Sequence, residues 1–92
     1  MINALKEISE SLGIEASGFD AEYWRFAEPL ILKLQSEGAS FLVKADGERS
    51  SNIFTILIEG GSLGEDYLRC ETDNLHEGIS QVLSDYSRRF WS

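Results

Sequence analysis

Ile2, Leu5, Ile8 and Leu12 recur at spacings of three and four, with Lys6, Glu7, Glu10 and Ser11 on the other side. This spacing predicts an amphipathic helix over the first dozen residues. Gly13 stands where such a helix ends, since the closing residue takes a left-handed conformation that glycine reaches without penalty. Asp20 is placed to cap a second, short helix carrying Tyr23, Trp24, Phe26 and Ala27. Pro29 has no backbone donor and disfavours helix at Glu28, so that helix is expected to stop near Glu28.

From Leu30 the pattern shortens. Leu30–Gln35, Ser40–Ala45, Asn52–Glu59 and Asp66–Glu71 are brief apolar or alternating runs bounded by turn residues, which predicts four strands. Ser36-Glu37-Gly38, Asp46–Ser51 and Gly60–Gly64 separate them and supply the glycines that hairpin loops use. Connections this short force successive strands into an antiparallel meander. The chain closes on a helix: Asn74 and Glu77 have capping-box spacing, and Leu75, Ile79, Val82, Leu83, Tyr86 and Phe90 form a stripe at helical period. Arg88 and Arg89 fall in its last turn, where positive charge complements the helix dipole. The expected fold is α+β, a two-layer sandwich in which a four-stranded antiparallel meander packs against an N-terminal and a C-terminal helix.

Both faces of that sheet carry apolar groups. Phe54, Ile56 and Ile58 lie on one side of the third predicted strand, with Ile53, Thr55 and Leu57 on the other. One set must meet the helices; the second, drawn from Ile31, Leu42, Ile53, Leu57 and Tyr67, needs a cover. Three covers are open: the segment with Tyr23, Trp24 and Phe26, a second copy of the chain, or a different protein.

The 92 residues, 42% of them hydrophobic and with a single Pro, make one domain spanning residues 1–92 with no linker. A formal charge of −8 argues against nucleic-acid binding, which rests on Lys and Arg at phosphates, and would steer the chain towards a basic protein. Cys70 is the one cysteine, which excludes an internal disulfide and suggests a reduced, partly buried thiol. The N-terminus has no signal-peptide pattern, and no apolar run nears the ~20 residues of a spanning helix, so a cytoplasmic protein without membrane contact is expected.

Candidate chemistry is sparse. His76 is the one histidine, opens the last helix, and reads as a solvated residue with neither a nucleophile nor a ligand set beside it. Glu65 and Asp66 are adjacent on a strand and point apart, whereas Glu71 and Asp73 share a side if the strand runs that far. The Gly60–Gly64 loop leads into a strand and lacks a following Lys, so it reads as a hairpin loop and not as a phosphate cradle. No catalytic residue, metal or cofactor is assigned, and a non-enzymatic protein is expected. The segment from Glu59 to Glu77 holds Glu59, Glu65, Asp66, Glu71, Asp73 and Glu77 against Arg69 alone. It is read as an acidic contact surface, or as a solvated edge strand whose charges deter strand pairing.

A helix, strand, strand, strand, helix order is similar to that of double-stranded RNA-binding domains. Their last helix begins with a basic turn; Asp73-Asn74-Leu75-His76-Glu77 stands there instead, which sets that family aside. In size, acidity and the meander from Gly38–Gly47 through Phe54–Ile58 closed by an amphipathic helix, the chain resembles small acidic immunity proteins of bacterial contact-dependent and polymorphic toxin systems. That resemblance implies a protein that inhibits a basic, nuclease-type toxin by covering its cleft. Glu59, Glu65, Asp66, Glu71 and Asp73 would match the toxin's basic residues, with Tyr67 or Trp24 as aromatic anchor. Leu12-Gly13-Ile14 followed by Phe19-Asp20 is also similar to the end of the first helix in acidic type III secretion chaperones. This second resemblance implies a homodimer that pairs through its second sheet face and binds an effector segment.

Overall fold

The computed structural model describes residues 2–15 and 22–91. Helix α1 spans Ile2–Leu12. Gly13, at φ 70°, ends it: its amide donates to the Glu10 carbonyl and that of Ile14 to the Ser9 carbonyl, the paired bonds of a Schellman motif. The predicted Asp20 cap and the side chain of Ile2 lie outside the described residues.

Helix α2 runs Glu22–Ser36, straight through Pro29. The first predicted strand, Leu30–Gln35, is therefore helical. Tyr23, Ala27, Ile31 and Leu34 share one face of α2 at spacings of four, four and three; Ala27 and Leu34 are buried, and Tyr23 and Ile31 pack against the core. Pro29 sits on the opposite, exposed side, as does Arg25, the residue whose carbonyl it leaves without a helical partner. Burial on one face outweighs a missing bond on the other. Gly38, at φ 84°, then turns the chain out of the helix, so Ser36-Glu37-Gly38 is a helix end and not a hairpin.

The sheet accordingly has three strands, β1 (Ala39–Ala45), β2 (Phe54–Gly60) and β3 (Tyr67–Thr72), in the antiparallel order β1-β2-β3. Phe41 pairs with Ile58 and Val43 with Ile56, while Leu57 lies between Leu42 and Arg69. A single 3₁₀ turn, Gly61–Leu63, bridges β2 and β3 and buries Leu63, as a hairpin loop. Helix α3 follows at Leu75–Tyr86. The Asn74 side chain accepts from the Glu77 amide at 3.1 Å; the reciprocal half of the capping box is replaced by the Asn74 amide donating to Thr72 Oγ1 at 3.0 Å.

Helices α2 and α3 cover one sheet face, α2 over β1 and α3 over β2 and β3. Leu34, Ile56, Ile58, Ile79, Val82 and Tyr86 are sealed between the layers. Gly78 lets α3 come close: a Cβ there would lie 2.4 Å from Ile56 Cδ1 and 2.7 Å from Thr72 Cγ2. Past Tyr86 the helix widens into a π turn, Ser87–Trp91, which sets both Phe90, 38% exposed, and the more buried Trp91 against the Tyr86 ring. Trp91 Nε1 donates to Glu37 at 2.9 Å, tying the C-terminal turn to the end of α2. The first-dozen helix expected to pack on the sheet, α1, does not take that place; α2 does. Among the described residues, α1 makes no extensive contact with another element, and Leu5, Ile8, Leu12 and Ile14 are each more than half exposed.

Candidate acidic surface on the open sheet face

The face of the sheet turned from the helices forms a grid of three rows set by the strand register: Ser40, Glu59 and Tyr67; Leu42, Leu57 and Arg69; Lys44, Thr55 and Glu71. The segment with Tyr23, Trp24 and Phe26 does not cover it, since α2 lies in the helix layer. Leu42, Leu57 and Tyr67 do belong to this face, but Ile31 packs on the core from α2. Strand alternation therefore leaves three apolar side chains among charged ones, and Tyr67 stands out most, at 57% exposure.

The two ends of the grid differ in electrostatics. At the β1–β2 loop end, an Asx turn in which the Glu48 amide donates to Asp46 Oδ1 folds Arg49 back over the sheet. Arg49 then reaches Asp46 at 3.5 Å and Glu71 at 3.4 Å, Arg69 reaches Glu71 at 2.5 Å, and Lys44 lies 3.6 Å from Asp46. The hydrogen bond from Arg69, then the charge of Arg49, holds the Glu71 carboxyl below its ordinary range. Three cations meet two carboxylates here, so this end carries no surplus negative charge.

The opposite end does. Ser40, Glu59, Glu65, Asp66 and Tyr67 line an open depression of about 310 Å³, together with Gly60 and Gly64. Asp66 Oδ1 accepts from the Tyr67 amide at 2.8 Å and Oδ2 from Arg89 at 3.2 Å, and these two interactions, in that order, lower its pKa. Among the described residues Glu59 and Glu65 form no ion pair within 4 Å, and Glu59 and Tyr67 also border a second shallow depression shared with Lys44, Arg49 and Arg69.

The sequence candidates thus fall into three places. Glu59, Glu65, Asp66 and Tyr67 come together; Glu71 sits two grid rows away inside an ion-pair network. Asp73 lies beyond the sheet and accepts from the Ile53 amide at 3.3 Å. Trp24 belongs to the helix layer, edge-on to Tyr23 and to His76, with centroids 5.6 and 5.9 Å away. His76 is accordingly no solvated residue: it is half-buried against the Tyr23 ring at 4.8 Å, and the Tyr23 hydroxyl donates to its carbonyl.

The count of Arg69 alone against six acids missed Arg49 and Arg89, which arrive from distant parts of the chain to neutralise Glu71 and Asp66. Arg88 pairs with Asp85 at the surface. Cys70 faces the helix layer, its Sγ 3.7 Å from Gln81 Oε1; burial first, then the carboxylates of Asp85, Glu71 and Glu77, pushes the thiol pKa up. That environment disfavours the reactive thiolate. Among the described residues, no three His, Cys, Asp or Glu side chains gather to hold a metal, and no helix is long and apolar enough to cross a membrane. No protein-family model, curated protein or solved structure matches the chain.

Proposed function

We propose that the chain is a non-enzymatic protein-binding module that neutralises a basic protein partner, in the manner of the immunity proteins it resembles. The observation that carries this reading is the depression at one end of the open sheet face, where an exposed tyrosine is flanked by Glu59, Glu65 and Asp66. Binding energy concentrates on desolvated aromatic anchors, while surrounding charges raise the rate of encounter and select the sign of the partner. Tyr67 has the exposed ring for the first role, and Glu59 and Glu65, in no ion pair among the described residues, have the charge for the second. Asp66, held by a backbone amide and Arg89, orders the turn that presents Tyr67. The partner would place lysine or arginine side chains in the depression, the residues a nuclease uses against phosphates.

This reading is preferred over a homodimeric secretion chaperone that pairs through the same face, because such pairing would press Lys44, Glu59, Arg69 and Glu71 of one copy against those of another. Desolvating so many charges costs more than Leu42 and Leu57 return.

The test is affinity capture from native lysate with tagged chain at low and high salt. Recovery of one basic protein, salt-sensitive and lost with the pair Glu59→Lys and Glu65→Lys, is the expected result; capture unaffected by that pair contradicts the reading, as does the absence of any basic partner.

A further inference from the structure

A second bare surface lies in the helix layer. Between α2 and α3 runs a groove of about 500 Å³ whose walls include Phe26, Ala27, Leu30, Leu83 and Trp91. Phe26 is 69% exposed, and the only charged residue in the lining is Arg88. The same chain carries a helix with no place to bury its apolar row: Leu5, Ile8 and Leu12 on α1, with Ile14 just beyond, are 54 to 65% exposed. We propose that two copies of the chain exchange α1, each seating the helix in the α2–α3 groove of the other.

Three features match the helix to the groove. The first is length. The α1 row from Leu5 to Leu12 and the α2 wall from Tyr23 to Leu30 each cover seven residue steps, about 10 Å of helix, and the facing wall runs at least as far, from Ser80 on α3 to Trp91 in the π turn. The second is polarity. Ala4 and Ser11 flank the α1 row towards one wall, whereas Glu7 and Glu10 fall on the far side of the helix, so seating it buries no carboxylate. A basic segment has no counter-charge in this groove, which separates its occupant from that of the acidic depression.

The third feature is area. Leu5, Ile8 and Leu12 of α1 with Phe26 and Leu30 of the groove, at about 100 Å² each and counted in both copies, remove on the order of 1,000 Å² from water. That reaches the roughly 1,000 Å² a biological interface must clear, which a one-way contact between two copies would not. Exchange of the same element between identical chains closes as a two-fold dimer and leaves no unpaired groove.

The experiment is sedimentation equilibrium of the full chain over a range of concentrations, beside Ile8→Asp on α1 and Phe26→Asp in the groove. Both substituted positions are exposed in the single chain, so circular dichroism should remain that of the folded protein. The wild type is expected to dimerise, and each substitution to weaken dimerisation by about thirtyfold or more. A monomeric wild type overturns the proposal, whether α1 stays free or folds back onto its own groove. A dimer indifferent to either substitution overturns it equally.

Discussion

Along β2, neighbouring residues live in opposite surroundings. Ile56 and Ile58 are sealed beneath α3 with no exposure at all, while Thr55, Leu57 and Glu59, one step away each time, look out on the open face. The inner face is held by shape: Gly78 has no Cβ because Ile56 and Thr72 already occupy the space. Its outer counterpart is held by charge, with Arg49 and Arg69 closing on Glu71 and Arg89 on Asp66. Inner residues are constrained in volume and outer ones mainly in sign, so stability and recognition can be altered separately on one strand.

The largest expected effect lies on the inner face. Ile56→Ala should cost about 2–5 kcal/mol by loss of buried surface and the cavity left behind, whereas Leu42→Ala, on the open face, should change stability by only about 0.5 kcal/mol. Urea denaturation of both variants checks this, and equal losses would erase the distinction between the faces. Gly78→Ala comes next. Alanine gains about 1 kcal/mol in helix propensity, yet its methyl group has no room, and overpacking should leave the variant about 1–3 kcal/mol less stable. A stabilised variant would show that α3 shifts freely on the sheet.

Tyr86 supplies a finer test. Its hydroxyl is buried and has no hydrogen-bond partner among the described residues, a state that carries a desolvation penalty. Tyr86→Phe should therefore raise stability by about 1 kcal/mol, while a comparable loss would mean that the hydroxyl is bonded. The smallest effect belongs to the outer face. Asp66 and Glu71 have folded-state pKa values below the ordinary 3.8 and 4.5, so their contribution is fully present above those values and is lost as pH falls through the lowered ones. Denaturation midpoints should decline from about pH 5 downward, less steeply in Asp66→Asn and Glu71→Gln than in the wild type. An identical acid profile in the three proteins would remove these ion pairs from the stability of the fold.

Much of the inner face was legible in the sequence, because burial writes itself as period. The α3 stripe of Ile79, Val82, Leu83 and Tyr86, the Asn74 cap, the Gly13 stop and the alternation of Phe54, Ile56 and Ile58 all reappear. The error at Leu30–Leu34 shows the limit of that signal. Leu30, Leu32 and Leu34 alternate as a strand would, while Tyr23, Ala27, Ile31 and Leu34 follow a helical period through the same residues. Pro29 favours the strand reading, although it lies on the exposed side of the helix, where a lost backbone hydrogen bond costs least. Reading that helix correctly would have brought Phe26 and Leu30 together at one-turn spacing and exposed the groove.

The outer face was legible only in outline. Alternation places Glu59 and Tyr67 on one side of their strands, and the hairpin brings Glu65 and Asp66 beside them. Which carboxylates keep their charge depends on Arg49 and Arg89, which lie 22 and 23 residues from the acids they meet. No local pattern encodes such pairs; the register of β2 with β3 and the π turn at Ser87–Trp91 create them. Trp91 escaped for the same reason, since a regular helical period puts Phe90 but not Trp91 on the inner stripe.

The central claim, that the Tyr67 end of the open sheet face binds a basic protein, is tested most directly by amide hydrogen exchange on the chain alone and in complex with its captured partner. New protection is predicted over Leu57–Glu59 and Glu65–Arg69, with Tyr67→Ala abolishing the complex and Trp24→Ala retaining it. Protection confined to α2 and α3, with a complex that survives Tyr67→Ala, would contradict the account.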